Sequence, residues 1–237
     1  MSQKYPGGFI TKSPVAPTSS AASGMWTIDQ AMQLKKQGTW GTLPAIGAAF
    51  GGGFFAGQIS TAGNGVADYN LIVGPVASAE SASKQWKTVN TSTTGTSSDI
   101  DGPTNSSNMN NASHPAAEFC EGLTIGGFSD WYMPAKNELE VCYYNLKPTT
   151  ASNNTSHGIN PNAVPARASN YTSGNPAQTS ATDFKSTGAE DFAAGFYWTS
   201  TEFSATNARF QNFTSGDQSY NYKNTAYRVR AVRRVAV

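Results

Sequence analysis

Cysteine, charge and long apolar runs are all scarce in this chain, and each scarcity removes a class of protein. Two cysteines, Cys120 and Cys142, are too few for a disulfide framework in 237 residues. No CxxC pair or Cys/His cluster occurs, and His114 and His157 fall in Asn/Ser-rich stretches, which excludes the common zinc spacings. The cysteines read as buried thiols on two core helices, with a single disulfide between those helices as the alternative. Charged residues make up only 13% of the chain and the net charge is +1, so no global field steers it toward nucleic acid or an anionic membrane. No stretch reaches the roughly 18 apolar residues of a spanning helix. The longest candidate, residues 43–59, is interrupted by Gly51, Gly52 and Gly53. The GxSxG, HExxH, P-loop and GxGxxG patterns are missing from any suitable strand-to-helix context. The expectation is therefore a protein that is not an enzyme, with no cofactor, no metal and no membrane insertion.

What is present is small and polar: abundant Gly, Ser, Thr and Asn, together with 11% aromatics. A disordered chain would show more net charge and fewer aromatics, so this mixture suits a β-rich, loop-heavy folded protein. Residues 1–24 hold prolines, glycines and a Ser/Ala run without a periodic apolar face, and read as an extended arm. Tyr5, Phe9 and Ile10 are apolar anchors inside it that a plain linker does not need. The chain opens on polar residues without the apolar core of a signal peptide. Residues 25–44 read as a short helix, 30–37, and a connector, and residues 45–237 as the main domain.

Within that domain, residues 54–60 and 69–75 read as a hairpin around a turn-rich stretch. Residues 88–113 and 148–193 are Asn/Ser/Thr-rich and read as two long loops. Loops of that length in one domain bind something or pack on neighbours. Pro115 starts a helix whose Ala116, Phe119, Cys120 and Leu123 fall at helical spacing. A second helix is expected over 133–146. Strands around 196–202, 207–213 and 218–222 alternate as an antiparallel meander, followed by a last strand with Tyr227, Val229 and Ala231 on one face and Arg228 and Arg230 on the other. Asp130 and Glu138 are the expected partners of those arginines. The only basic cluster, Arg228, Arg230, Arg233 and Arg234, lacks the accompanying basic residues and stacking aromatics that nucleic acid needs.

Three ordered motifs carry a resemblance. The run Gly126-Gly127-Phe128-Ser129-Asp130-Trp131-Tyr132-Met133-Pro134-Ala135-Lys136-Asn137-Glu138-Leu139 places a glycine turn and an aromatic anchor before a helix start. It resembles the GG-x-S-D-W-x-L-P-x-x-x-E-L signature of the C-type-lectin-like group related to the C-terminal domain of the Legionella collagen-like protein. Phe196-Tyr197-Trp198-Thr199-Ser200-Thr201-Glu202 and Tyr227-Arg228-Val229-Arg230-Ala231-Val232-Arg233 resemble two further pieces of that group. The resemblance implies an α+β, C-type-lectin-like fold, two helices packed on antiparallel sheets. Ala135 departs from the usual Ser or Thr, so the capping box with Glu138 is expected to be lost. The EPN-, QPD- and WND-like pieces of calcium-dependent sugar binders are missing, so calcium is not implied. The same broad fold includes formylglycine-generating enzymes, but both cysteines lie on the core helices, which makes that a remote alternative.

The opening Tyr5-Pro6-Gly7-Gly8-Phe9-Ile10 and the later Gly24-Met25-Trp26-Thr27-Ile28-Asp29-Gln30-Ala31 resemble segments of tailed-phage structural proteins of marine type. That implies a virion protein, a fibre, tip or decoration, made in the host cytoplasm and exposed on the particle. Tyr5, Phe9 and Ile10 would dock to other virion proteins, and the main domain would form a homo-oligomer, a trimer being favoured. Tyr gives contact area at low entropic cost while Ser and Asn supply adaptable hydrogen bonds. On that ground the stretch 202–209, with Asn212, Gln218, Tyr220, Asn221 and Tyr222, reads as a binding surface, and within it Asn207, Arg209, Gln218, Tyr220 and Tyr222 are the candidate ligand face, for a host-surface glycan or protein. Trp198 and Phe210 read as core. The competing class is a purely structural virion component that recognises nothing.

Overall fold

A computed structural model describes residues 43–237, of which Ile46–Val237 form one compact unit. The expected arm with Tyr5, Phe9 and Ile10, and the helix at 30–37, lie outside the described residues. Ten strands make two five-stranded sheets. The first is antiparallel, in the order β1 (Ala49–Phe50), β2 (Gly53–Ile59), β3 (Tyr69–Val73) and β10 (Val232–Ala236), with β5 (Ala163–Val164) pairing to the far end of β2. The second runs β4 (Glu80–Gln85), β9 (Ala226–Arg230), β6 (Phe196–Glu202), β7 (Asn207–Asn212) and β8 (Gln218–Tyr222).

This architecture corrects the expected α+β, C-type-lectin-like class: the fold is β-rich. Its helices are short, α1 (Val76–Ala79), α2 (Gly102–Ser107), α3 (Pro115–Glu121) and α4 (Lys136–Leu146). Among the described residues only α4, at 11 residues, reaches three turns. The C-terminal meander is also extended by a crossover. After β8 the chain passes to the other side of β6, where β9 pairs parallel to it at Tyr197↔Arg228 and antiparallel to β4.

The β2–β3 hairpin forms as expected, and its turn is closed by Asp68, whose Oδ2 accepts from Thr61 N at 2.7 Å and Thr61 Oγ1 at 2.6 Å. A bulge between Phe55 and Gly57 lets α4 dock on β2. Gly57 has φ 138°, and a Cβ there would fall 2.6 Å from Asn145 Nδ2, the atom that donates to Ala56 O at 2.7 Å. Substitution would break both the backbone shape and that contact.

Helix α4 begins without a side-chain acceptor at Ala135, yet its first turn is not orphaned. Glu138 Oε2 accepts from Ala135 N at 2.8 Å, so half of the capping box is kept. Thr201 Oγ1 accepts from Lys136 N at 3.0 Å and Asp99 O from Asn137 N at 2.8 Å. The cap lost from the sequence is thus supplied by a strand and a loop. Cys142 joins the core cluster of Leu139, Tyr143, Phe192, Tyr197 and Phe213; Cys120 joins that of Trp86, Trp131, Trp198 and Val229. The two are free thiols in separate clusters, and burial raises the pKa of both.

Neither long polar stretch is structureless. Residues 88–113 contain α2 and bury Thr96, Asn105, Ser106 and Met109. Residues 148–193 contain β5 and a 3-10 turn, Thr182–Phe184, and bury Tyr171, Phe184 and Phe192. Asparagine orders both, because its amide substitutes for a missing ladder partner: in the first, Asn105 Nδ2 donates to Ser98 O at 2.7 Å and Asn108 Nδ2 to Gly95 O at 2.9 Å. Asn153 Nδ2 donates to Thr172 O at 3.0 Å and Pro176 O at 2.9 Å, and Asn162 Nδ2 donates to Ser60 O at 2.8 Å. Lys147 Nζ ties the same region, donating to Asn153 Oδ1 at 2.7 Å.

Candidate functional site

The β7–β8 hairpin aligns the five residues selected from sequence on one face. Asn207 lies opposite Tyr222, Arg209 opposite Tyr220, and Gln211 opposite Gln218. Their environments then diverge along the strand. Tyr220 and Tyr222 are 48% and 56% exposed, whereas Gln218 is buried beside the fully buried Gln211. Among the described residues, neither Gln211 amide atom, nor Gln218 Nε2, has a hydrogen-bond partner. Asn207 serves its own turn: its Oδ1 accepts from Thr206 Oγ1 at 2.6 Å and Ser204 Oγ at 3.2 Å.

Phe203 completes the exposed half. It lies in the stretch 202–209 that the sequence marks as binding surface, although it is not one of the five candidate ligand residues. Its ring, 43% exposed, stacks on Tyr220 with centroids 3.9 Å apart and planes 16° from parallel, and Arg209 Cζ sits 4.3 Å from the Phe203 centroid. Cation, phenyl and phenol thus form one cluster at the surface.

Arg209 is electrostatically unusual. Arg167 pairs with Glu140, Arg228 and Arg230 with Glu80, Arg230 also with Glu190, Arg233 with Asp130, and Arg234 with Glu138. Among the described residues Arg209 alone of the arginines has no carboxylate partner. These pairings also correct the expected salt bridges. Asp130 and Glu138 serve Arg233 and Arg234, because those arginines, not Arg228 and Arg230, stand beside the Trp131 junction. Glu138 is fully buried there, while the Asp130 side chain stays half exposed.

The cluster stands on a rigid base. Behind it Phe210 and Trp198 are buried, as expected, and pack with Tyr227. Beside it, Glu202 at the end of β6 meets Lys223 just past β8 at 3.0 Å and accepts from Thr93 N and Ser92 Oγ, each at 2.9 Å. Lys223 Nζ also donates to Thr91 O at 2.9 Å and Ala205 O at 3.0 Å. One buried ammonium thus fastens the 91–96 segment to the loop carrying Phe203. His114 supports that segment, with Nε2 2.9 Å from Thr93 Oγ1 and its ring edge-on to Trp86.

Desolvation, reinforced by Lys87 and Lys223, lowers the His114 pKa from 6.5 to about 4. An unfolded chain therefore takes up this proton first. The histidine's contribution to stability is complete above pH 6.5 and is lost as pH falls toward about 4. Urea melts of His114→Gln are expected to show a shallower decline than wild type across that window; parallel declines would show that His114 is not the group responsible.

Among the described residues no cluster of three or more His, Cys, Asp or Glu is placed to hold a metal. The family model for the Lcl C-terminal domain matches residues 79–233, more than half of the chain. The chain belongs to the Lcl C-terminal domain family. No curated protein matches it. The matched segment begins at the junction of α1 and β4 and contains all of the second sheet, with α2, α3 and α4. The Phe203–Tyr220–Arg209 cluster therefore lies inside the Lcl domain proper, while β1, β2 and β3 precede it.

Proposed function

We propose that this Lcl domain is a noncovalent binding module whose contact face is Phe203, Arg209, Tyr220 and Tyr222. The observation that carries the proposal is the unpaired Arg209 guanidinium held over an exposed Phe203–Tyr220 stack. Binding energy concentrates in a few aromatic and arginine side chains. An arginine with unused donors beside flat apolar rings suits a ligand offering both an acceptor group and a C–H or aromatic face. A host-surface glycan or protein has that chemistry. The resemblance of the N-terminal segment to tailed-phage proteins favours display on a virion, as an oligomeric fibre, tip or decoration.

A triple change, Arg209→Ala with Tyr220→Ala and Tyr222→Ala, is expected to abolish adsorption to host cells. Stability should change by less than about 1 kcal/mol, because exposed side chains contribute little to folding. EDTA should have no effect on adsorption. The competing reading, a structural component that recognises nothing, draws on one observation: among the described residues β8 is the terminal strand of its sheet, an edge that a neighbouring subunit could pair with. Lost assembly with unchanged adsorption by surviving particles would establish that reading instead.

A further inference from the structure

A second site lies away from the aromatic cluster and does not depend on it. An open cleft of about 360 Å³ is lined by Tyr69, Asp101, Pro103, Asp130, Tyr132 and Arg234. That is within the roughly 300–1,000 Å³ typical of small-molecule sites. The start of β3, the first turn of α2, the Trp131 junction and β10 each contribute to its wall.

The polar groups of this cleft retain unused capacity. Arg234 Nε donates to Glu138 Oε1 at 2.8 Å and Nη2 to Ile100 O, while Nη1 is 3.9 Å from Asp101 Oδ1, too far for a hydrogen bond. Asp130 grips Arg233 through both oxygens at 2.7 and 2.8 Å, yet its side chain remains 55% exposed, and that of Asp101 47%. A carboxylate oxygen has two lone-pair sites, so both aspartates can still accept. Tyr69 and Pro103 add apolar surface. Asp101, Asp130 and Glu138 outnumber the guanidiniums of Arg233 and Arg234, so an anion is repelled. A cation would meet the free edge of Arg234. The matching ligand is neutral, donates to two carboxylates, accepts from one guanidinium and presents a C–H face to Tyr69.

We propose that this cleft binds a single neutral pyranose, with vicinal hydroxyls on Asp101 and Asp130 and a ring or hydroxyl oxygen on Arg234 Nη1. The test is an NMR titration of the full chain with D-glucose, D-galactose, D-mannose and L-fucose, alongside D-glucuronate and D-glucosamine. At least one neutral sugar is expected to move the amides of Tyr69, Asp101 and Tyr132 saturably at millimolar concentration, with glucuronate about tenfold weaker. Asp101→Asn should weaken binding about tenfold, because a hydrogen bond to a charged acceptor is replaced by a neutral one. The fold should survive, since Asn still caps α2 where Asp101 Oδ1 accepts from Thr104 N. Tyr69→Leu supplies a second variant, expected to lose binding through the missing ring. No saturable shift with any neutral sugar, tighter binding of glucuronate or glucosamine, shifts confined to Phe203 and Tyr220, or unchanged affinity in both folded variants would each overturn the proposal.

Discussion

Replacing Trp131 by alanine is expected to destabilise the main domain by about 3–5 kcal/mol, the range for a large buried aromatic. Trp131 is 1% exposed, donates through Nε1 to Phe128 O at 3.1 Å, and lies in the cluster with Ile72, Met133, Trp198 and Val229. The cavity has little means to collapse, because rigid backbone forms part of its wall. A Cβ on Gly53 would come within 3.1 Å of the Trp131 ring and 2.3 Å of Val73 O, so the first sheet is pressed directly on the indole. The loss also reaches the ion pair above the junction, since Arg233 packs over Phe128 with Cζ 3.9 Å from its centroid while gripping Asp130. Denaturant unfolding of the full chain measures the effect. A change below about 1 kcal/mol would mean that the junction does not organise the fold.

Arg230→Ala is expected to cost a similar amount, about 3–5 kcal/mol, for a different reason. The guanidinium is buried, donating to Gly74 O at 2.9 Å, to Glu190 O at 3.0 Å and to Glu190 Oε2 at 2.9 Å, with Phe192 centred 4.6 Å from Cζ. It joins the first sheet's β3 end to the 190–192 segment. Removing it leaves Glu190 uncompensated and Glu80, whose Oε2 already lacks a hydrogen bond, more so. Burial raises the Glu80 pKa even with Arg230 and Arg228 in place. Adding Glu190→Ala to Arg230→Ala should recover part of the loss, because the orphaned charge goes with it. Strict additivity of the two changes would contradict the pairing.

The elements most legible in the sequence are those whose side-chain pattern reports burial directly. The Trp131 junction, the β2–β3 hairpin, the helix at Pro115 and the buried Trp198 and Phe210 all follow from apolar spacing and turn residues. The α+β class did not survive because it weighted two recognisable helices over strands that carry no hydrophobic signal. β4 is Glu-Ser-Ala-Ser-Lys-Gln, and β10 is Val-Arg-Arg-Val-Ala. β4 is a strand because β9 pairs with it, and the arginines of β10 are held by Asp130 and Glu138 rather than by solvent. Nonlocal hydrogen bonds explain the other differences. Thr201 helps cap α4 from 65 residues away, and Asn153 and Asn162 order a segment whose composition reads as loop. The candidate face was half legible. Side-chain chemistry singled out Arg209, Tyr220 and Gln218, but only the fold pairs their strands on one face and shows that Tyr220 emerges and Gln218 does not. Phe203 belongs to the stretch 202–209 whose composition marks it as surface, but only the fold shows its ring stacked on Tyr220.

Under the proposed function, Phe203, Tyr220 and Tyr222 face solvent in order to recognise something. Hydroxyl-radical footprinting of these three residues tests it directly, comparing the purified full chain, its native assembly, and that assembly mixed with host envelopes. Equal oxidation is expected in the first two samples, with protection of all three side chains only when envelopes are added. Protection already complete in the native assembly would place the aromatic face against a neighbouring subunit and contradict the binding function.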